Sequence, residues 1–316
     1  MSDVSGLNGI INIYKEEGYT SFDVIAILRG ITGTRKCGHT GTLDPMATGV
    51  LPVAFGKATK VCSLITDWDK EYEAEMLLGR TTDTLDITGT AISEREVSVS
   101  ESEIKKAIMK YLGGYDQMPP MYSALKVDGK RLYDIARSGG EVERTPRRVS
   151  IPRIEILSID IPDVRFKVQC SKGTYIRSLC DDIGYDLGCG ACMKSLVRTK
   201  VGPYAIVDAV KISELESFAQ ENGKEAIASS KYINGTDSVF YDLPAVKVKE
   251  NAVSALENGN KLKRSDVEGF AAARSDMGSD DKGNRDRIRV YFPNGAFAAV
   301  YMKAEGGLYK PEKMFI

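Results

Sequence analysis

The sequence predicts an α+β protein of two domains, and three observations support this. The chain has 316 residues, more than a single domain usually contains. Apolar runs typical of strands alternate with capped, amphipathic segments typical of helices up to about residue 238. The last part of the chain contains only short apolar runs separated by turn signals. We therefore expect a larger domain over residues 8–238 and a small β domain over residues 244–316.

The composition is that of an ordinary folded protein. Apolar residues make up 42% and charged residues 28% of the chain, which argues against a disordered, collagen-like or coiled-coil protein. The formal net charge of -1 gives no support to a nucleic-acid binder, which is often basic, although it leaves room for a local basic face. No apolar run approaches the ~20 residues of a membrane-spanning helix, and the N-terminus is unlike a signal peptide. We expect a cytoplasmic protein.

In the first half of the chain, strands alternate with helices whose starts are capped. A Ser or Thr followed three residues later by an acidic residue is a typical helix start, and apolar alternation is typical of a strand. In chain order we predict a strand at 9–14, a helix at 20–29 capped by Thr20 or Ser21, a long ordered loop at 33–48, a strand at 50–55, a short helix at 58–66, a strand at 72–78 and a helix at 100–111 capped by Ser100.

The second half begins with an irregular segment at 117–122, where two prolines interrupt any regular structure. The basic stretch 126–148 follows, with seven basic and four acidic residues. Strands are predicted at 151–161 and 164–170, and apolar residues alternate on one face of the second strand. A helix is predicted at 176–187. In the tail, the polar segment 275–284 predicts a mobile loop.

Six cysteines are scattered through the chain, and without a secretory signal we expect them to be reduced. Cys189 and Cys192 form a CxxC, a spacing that also occurs at zinc and redox sites. A zinc site needs about four ligands, and the chain has no second CxxC and only one histidine, His39. We therefore interpret these two cysteines as small, buried or half-buried residues.

The most unusual segment is GHTGTLDPMATGVL, at residues 38–51, which places one carboxylate, Asp44, in a loop of small residues. Glycines such as Gly49 let another backbone approach closely, and Pro45 stiffens the turn after the acid. Taken alone, an Asp-Pro pair is most often a turn whose carboxylate caps the following backbone N–H groups. The residues alone therefore leave Asp44 open to either interpretation, a turn or a functional acid.

Five blocks, in order, resemble the bacterial TruB-type tRNA pseudouridine synthases. They begin with RKCGHTGTLDPMATGVLPVAFGKATK and continue with KEYEAEMLLGRTTDTLDITG, QMPPMYSALKVDGKRLYDIARSGGEVERTPRRV, CSKGTYIRSLCDDIGYDLGCGA and SLVRTKVG. The tail resembles the PUA domain. The resemblance implies a mixed, largely antiparallel central sheet flanked by helices and a small C-terminal PUA-like β-barrel. It also implies isomerisation of the T-loop uridine, position 55, of tRNA to pseudouridine.

The resemblance implies a catalytic set of Asp44, Arg177 and Tyr72. Asp44 matches the nucleophilic aspartate of the family, and a carboxylate must be ionised to act in this way. Arg177 matches the arginine that pairs with that carboxylate, and the opposite charge is expected to lower the pKa of Asp44. Tyr72 matches the aromatic residue that stacks on the flipped uracil. Without the resemblance, a strand tyrosine would be interpreted as a packing residue.

Three further residues are implied in substrate binding. His39 matches a loop histidine that contacts RNA beside the extruded base, and no titration is required of it. Tyr175 and Leu196 match residues that line the uracil pocket. Tyr175 and Arg177 are two positions apart, so in an extended segment both would point to one face. By themselves, His39 and Leu196 would be interpreted as packing residues.

The implied partner is tRNA, bound through its T-arm stem-loop, with no membrane and no obligatory protein partner. The target base must leave its stack, which costs roughly a few kcal/mol. The basic stretch 126–148 is a candidate for phosphate contacts. The reaction requires no cofactor and no metal, and a monomer is the simplest assembly. The alternatives are an RNA-guided H/ACA-type synthase and a tRNA-binding or folding protein without catalysis.

Overall fold

The computed structural model describes residues 6–123, 125–127, 129–140, 142–269 and 286–316. Its architecture is the predicted α+β arrangement, with one large mixed sheet, helices packed beside it and a smaller sheet near the C-terminus. The predicted loop at 275–284 lies outside the described residues. No helix in the described ranges is long and apolar enough to span a bilayer.

The helices begin where the caps predict. The helices of the described chain are α1 (Ser21–Thr32), α2 (Cys62–Thr66), α3 (Glu101–Met109), α4 (Leu132–Arg137), α5 (Ile176–Asp186), α6 (Ile212–Asn222) and α7 (Val253–Glu257). Thr20 caps α1 and Ser100 caps α3, each in a capping box with the acidic residue three positions later. The helix predicted at 58–66 divides into a 3-10 helix, Gly56–Val61, and α2.

The strands vary from two to eleven residues in length. They are β1 (Gly9–Lys15), β2 (Cys37–His39), β3 (Thr48–Phe55), β4 (Lys70–Leu78), β5 (Arg80–Thr82), β6 (Ala91–Glu94), β7 (Tyr115–Gln117), β8 (Lys126–Val127), β9 (Lys130–Arg131), β10 (Arg147–Val149), β11 (Arg153–Asp160), β12 (Asp163–Cys170), β13 (Ala191–Val201), β14 (Tyr204–Ala205), β15 (Val210–Lys211), β16 (Ile233–Asn234), β17 (Ala245–Val248), β18 (Leu262–Lys263), β19 (Val267–Glu268), β20 (Arg287–Tyr291), β21 (Phe297–Lys303) and β22 (Leu308–Met314). The loop predicted at 33–48 thus contains one short strand, β2, which pairs with β3.

The large sheet has ten strands, with the central order β11-β12-β4-β13-β3-β1-β15. Its pairs are antiparallel except for β1 with β15 and β13 with β3, so the sheet is mixed and largely antiparallel. Alternate residues of β1 face opposite sides. Ile11 and Ile13 pack under α1 and α6, whereas Ile10 packs with Val300 of β21 and with Phe315, which directly follows β22. The C-terminal strands therefore lie on the face of the sheet opposite α1.

The smaller sheet has six strands in the order β18-β22-β21-β20-β17-β19. All six strands contribute to one apolar cluster, so the sheet is curled around its own core in the manner of a PUA-like barrel. A separate cluster joins this sheet to the large one. The division at residues 238 and 244 stays a prediction.

Candidate active site

Asp44 lies in the loop that connects β2 to β3, and hydrogen bonds to the backbone of this loop hold it in place. The carbonyl oxygen of Pro45 accepts hydrogen bonds from the backbone N–H of Gly18 at 2.9 Å and from Nζ of Lys15 at 3.1 Å. Gly49, with φ of 102°, lies against β13, where a Cβ atom would fall 2.2 Å from the carbonyl oxygen of Arg198. The glycine is required there because only its backbone allows β3 and β13 to approach so closely.

The Asp44 carboxylate is paired with Arg177. Nε of Arg177 lies 3.0 Å from Oδ2 of Asp44, and Nη2 lies 3.4 Å from Oδ1, which gives a two-pronged contact. The guanidinium also donates to the carbonyl oxygens of Thr84 at 3.0 Å and Tyr122 at 2.8 Å, and it lies 3.5 Å from Oδ2 of Asp86. Because Arg177 is only 6% exposed, these contacts fix the direction in which it meets Asp44.

The pKa of Asp44 is raised above its ordinary value, even though Arg177 acts to lower it as expected. Burial is the largest cause of the rise, and the nearby carboxylate of Asp86 adds to it. Arg177 and Lys15 act in the opposite direction and favour the ionised form, but they do not outweigh burial. Burial and the charges of Asp86, Arg177 and Lys15 therefore perturb the pKa of this carboxylate, as is typical of functional sites.

Asp86 is a site residue that the sequence reasoning missed. Its side chain is buried, and Oδ1 accepts from Oγ1 of Thr84 at 2.9 Å and from the backbone N–H and Oγ1 of Thr88 at 3.0 and 2.6 Å. Its other oxygen, Oδ2, faces Arg177. Arg177 thus bridges two carboxylates, one held in the core and one in the loop. The only signal for Asp86 was its position within the block KEYEAEMLLGRTTDTLDITG.

Tyr72 and Leu196 lie on the two central strands beside this ion pair. Tyr72 on β4 is partly buried and packs on the cluster that contains Leu43, the residue before Asp44. Leu196 on β13 is buried in the same cluster. Burial raises the pKa of the Tyr72 phenol, which keeps it neutral. The two residues thus present an aromatic ring and an aliphatic side chain next to the Asp44 loop.

Arg198 was also missed by the sequence reasoning. It is 1% exposed, and its guanidinium donates to the carbonyl oxygens of Val50 at 2.7 Å and Gly41 at 3.2 Å. These contacts join β13 to β3 and to the loop of Asp44. The charge of Arg198 also acts to lower the pKa of the Tyr72 phenol, against the larger effect of burial. An arginine within a strand carries no local sequence signal for such a role.

His39 lies at the end of β2, before the Asp44 loop. Nδ1 accepts a weak hydrogen bond from the backbone N–H of Gly41 at 3.4 Å, and the ring of Phe22 meets it edge-on with a centroid distance of 5.4 Å. Burial, followed by the positive charge of Arg198, lowers the pKa of His39. The imidazole is therefore neutral at pH 7, as expected for a residue that is not required to titrate.

Tyr175 and Arg177 do not share a face of an extended segment, which corrects the sequence argument. Tyr175 is the N-cap residue of α5, and Arg177 lies within the first turn of that helix. The backbone of Tyr175 is held by the side-chain amide of Gln117, which accepts from its N–H at 2.7 Å and donates to its carbonyl at 2.9 Å. Gln117, a buried residue, was not singled out in the sequence.

Lys15 is a buried cation beneath the loop. Its side chain is fully buried, and Nζ donates to the carbonyl oxygens of Glu16 and Pro45. Burial lowers the pKa of Lys15 to about 8, against the opposing effect of Asp44. It was missed because a lysine at the end of an apolar strand is usually a solvated residue.

The basic stretch 126–148 lies partly outside the described side chains, since those of Lys126, Lys130 and Arg131 are not described. Within its described part, Arg144 donates to the carbonyl oxygen of Pro119 at 2.8 Å, while Arg147 and Arg148 are exposed on β10. The stretch therefore offers at least two solvent-facing cations. Elsewhere, Cys189 and Cys192 are free and buried, as predicted.

Comparisons with known proteins agree with one another. A family model described as TruB family pseudouridylate synthase, N-terminal domain, matches residues 29–176, and one described as tRNA pseudouridylate synthase B C-terminal domain matches residues 177–240. Proteins named tRNA pseudouridine synthase B from Lachnoclostridium phytofermentans and Clostridium kluyveri are 44% and 42% identical, over 98% of this chain and 100% of each relative. A chain in the structure of an H/ACA RNP bound to a substrate RNA containing 2'-deoxyuridine is 28% identical with a TM-score of 0.70, covering 98% of this chain and 85% of that one.

Proposed function

Since the chain belongs to the TruB family of pseudouridylate synthases, we propose that it converts the T-loop uridine of tRNA, position 55, to pseudouridine with Asp44 as nucleophile. It is an isomerase that acts on uridine in tRNA. The observation that carries the role of Asp44 is its two-pronged ion pair with Arg177, in a loop that reaches the site from the sheet. The relatives named tRNA pseudouridine synthase B are 44% and 42% identical to this chain, whereas the chain in the H/ACA structure is 28% identical. The alternative of an RNA-guided synthase is therefore not favoured.

The first step is extrusion of the target uridine, because a stacked base hides its edges and its sugar. The Tyr72 ring offers the flat surface on which the extruded uracil stacks, and Leu196 belongs to the same cluster. Tyr175 lines the uracil pocket on the family resemblance alone. His39, neutral and beside the loop, contacts RNA next to the vacated position. The exposed Arg147 and Arg148 contribute phosphate contacts, which give affinity without sequence information.

The second step is the isomerisation at Asp44. The ionised carboxylate attacks the target nucleoside and forms a covalent bond to it, and the N1–C1′ bond of the uridine breaks. The uracil then rotates, a C5–C1′ bond forms, and the bond to Asp44 breaks, which returns the carboxylate. The hydrogen at C5 leaves as a proton, and N1 gains one, so atoms and charges balance. Arg177 holds the carboxylate in place and favours its ionised form, while Asp86 orients Arg177 from the other side.

The reaction is tested by tritium release from transcribed tRNA that carries uridine labelled at C5. We expect the wild-type protein to release tritium, because C5 must lose its hydrogen when it bonds to the ribose. Release should be abolished when the T-loop uridine is replaced by cytidine. Release that persists after this replacement would contradict the T-loop assignment, and no release from any tRNA would contradict the proposed activity.

Tyr72→Leu should lower kcat/KM for tRNA by about tenfold or more, since stacking on an aromatic ring contributes about 1–3 kcal/mol per base. Leucine keeps apolar contact with the core but offers no flat ring. Tyr72→Phe is the matched control: it keeps the ring, loses only the phenol hydroxyl, and should retain most of the activity. The measurement is the initial rate of tritium release. A wild-type rate for Tyr72→Leu would mean that Tyr72 is only packed.

The partner and location follow from the same proposal. The T-arm stem-loop is the part of tRNA that enters the site, with residues 8–238 as the catalytic domain and residues 244–316 as a PUA-like RNA-binding domain. We propose that the protein acts as a monomer in the cytoplasm, without an obligatory protein partner. The separate apolar core of the C-terminal sheet supports the two-domain organisation.

A further inference from the structure

Phe22 is a large apolar side chain that the fold leaves in solvent beside the active site. It lies in the first turn of α1 and is 63% exposed, while its neighbours Ser21, Val24 and Ile25 in the same helix are buried. Burying an aromatic ring is favourable, so an exposed one gains nothing for folding. Folding therefore does not account for an exposed phenylalanine next to the loop of Asp44.

The ring is held at a fixed place relative to Asp44. The capping box between Thr20 and Asp23 fixes the start of α1. Oγ of Ser21 accepts a hydrogen bond from the backbone N–H of Leu43 at 2.9 Å and donates one to the carbonyl oxygen of Leu43 at 3.3 Å. Since Leu43 directly precedes Asp44, these hydrogen bonds tie the start of α1 to the loop of Asp44. Phe22 is thus a preorganised part of the substrate-facing surface.

His39 supports the ring from one side. The two rings are perpendicular, with centroids 5.4 Å apart, which is the edge-to-face arrangement that aromatic pairs favour. One contact of this kind limits the movement of Phe22 but leaves most of its surface open, as its exposure shows. Phe22 and His39 thus place two perpendicular aromatic rings at the edge of the site.

The Phe22 ring is uncharged and its neighbour in the chain, Asp23, is ionised, because hydrogen bonds from Thr20 lower the pKa of Asp23. A negative charge next to the ring disfavours a phosphate at this position but not the neutral, flat face of a base. Bases splayed out of a loop are commonly bound by aromatic side chains in this way.

We propose that Phe22 receives an unstacked nucleobase of the tRNA T loop, one that neighbours the extruded uridine, and so positions the loop over Asp44. This inference rests on the proposed function and adds a second stacking position to it, distinct from Tyr72. His39 supports the ring of Phe22, and the base covers its open face.

The test is the affinity for transcribed tRNA, measured by filter binding with variants that also carry Asp44→Asn to prevent turnover. Phe22→Ala should bind at least about fivefold more weakly, the lower end of what an aromatic stack contributes. Phe22→Trp should bind within about twofold of the parent, because any flat ring can stack. Phe22→Leu keeps apolar bulk without a flat ring and should lose affinity as the alanine variant does.

Tyr185→Ala is the matched control. Tyr185 is also an exposed aromatic residue on a helix, 84% exposed near the end of α5, and it lies ~12 Å along the helix axis from Arg177. Its removal should leave tRNA affinity unchanged. All the Phe22 variants should unfold at the parent temperature, because the side chain is mainly in solvent.

Two results would overturn the inference. One is unchanged tRNA binding by Phe22→Ala, which would also be the result if this surface served a protein partner instead. The other is a loss that disappears when Phe22→Ala is made in a His39→Ala background, since Phe22 would then act only through His39. Failure of the proposed function looks different, because the wild-type protein would then release no tritium from tRNA.

Discussion

Asp44→Asn is expected to lower the rate of tritium release from C5-labelled tRNA by at least about a thousandfold, as removal of a nucleophile does in other enzymes. Asparagine has nearly the same size, and its amide oxygen can still accept from Arg177 at the position of the present 3.0 Å contact. What is lost is the negative charge and the nucleophilic oxygen. Affinity for tRNA should stay within about threefold, because stacking and phosphate contacts do not involve this group.

The single-turnover rate measures the loss of chemistry in Asp44→Asn, and the dissociation constant for tRNA measures any loss of binding. Asp44→Ala should behave in the same way, which controls for slow deamidation of the asparagine variant back to aspartate. Tritium release by Asp44→Ala at a tenth of the wild-type rate would show that another group begins the reaction. A large loss of tRNA affinity in both variants would instead assign Asp44 to binding.

Arg177→Gln is expected to move the acid limb of the pH–rate profile upward. The working form of Asp44 is the carboxylate, which is present above its pKa and is lost as the pH falls through it. That pKa is already raised by burial and by Asp86, and Arg177 opposes the rise. Without the guanidinium the pKa rises further, so less of the enzyme is active at a given pH.

Two further variants test this explanation. Arg177→Gln with Asp86→Asn removes the second carboxylate as well, so part of the upward shift should be reversed. The double variant should also be more stable than the single one, since breaking a buried ion pair by removing one partner leaves an uncompensated charge. Thermal unfolding measures this difference. If the acid limb of the Arg177→Gln variant stays at the wild-type pH, ionisation of Asp44 does not set the pH dependence of the rate.

Much of the secondary structure could be predicted because its causes are local. The starts of α1 and α3 follow from the Thr20 and Ser100 capping boxes, in which the contacts are three residues apart. The alternation in β12 follows from the two-residue period of a strand, and Val164, Phe166 and Val168 are buried as predicted. The short strand β2 could not be predicted, since a segment of three residues forms only against β3.

The candidate site was predictable in part, through the matching blocks rather than through local chemistry. The resemblance supplied Asp44, Arg177 and Tyr72, and the structure places the first two in contact. Asp86 and Arg198 were missed, because neither has a local pattern that distinguishes it from a surface charge. Their burial and partners come from strands and loops that are distant in the sequence.

The sequence by itself determined the α+β class, the helix starts, the family resemblance and the small residues of the Asp44 loop. Only the tertiary structure decided that Arg177 bridges Asp44 and Asp86 and that the pKa of Asp44 is raised. The physical reason is that a capping contact depends on neighbouring residues. The pKa of Asp44 depends instead on the balance between burial and the ion pair with Arg177, and residues from distant parts of the chain create both.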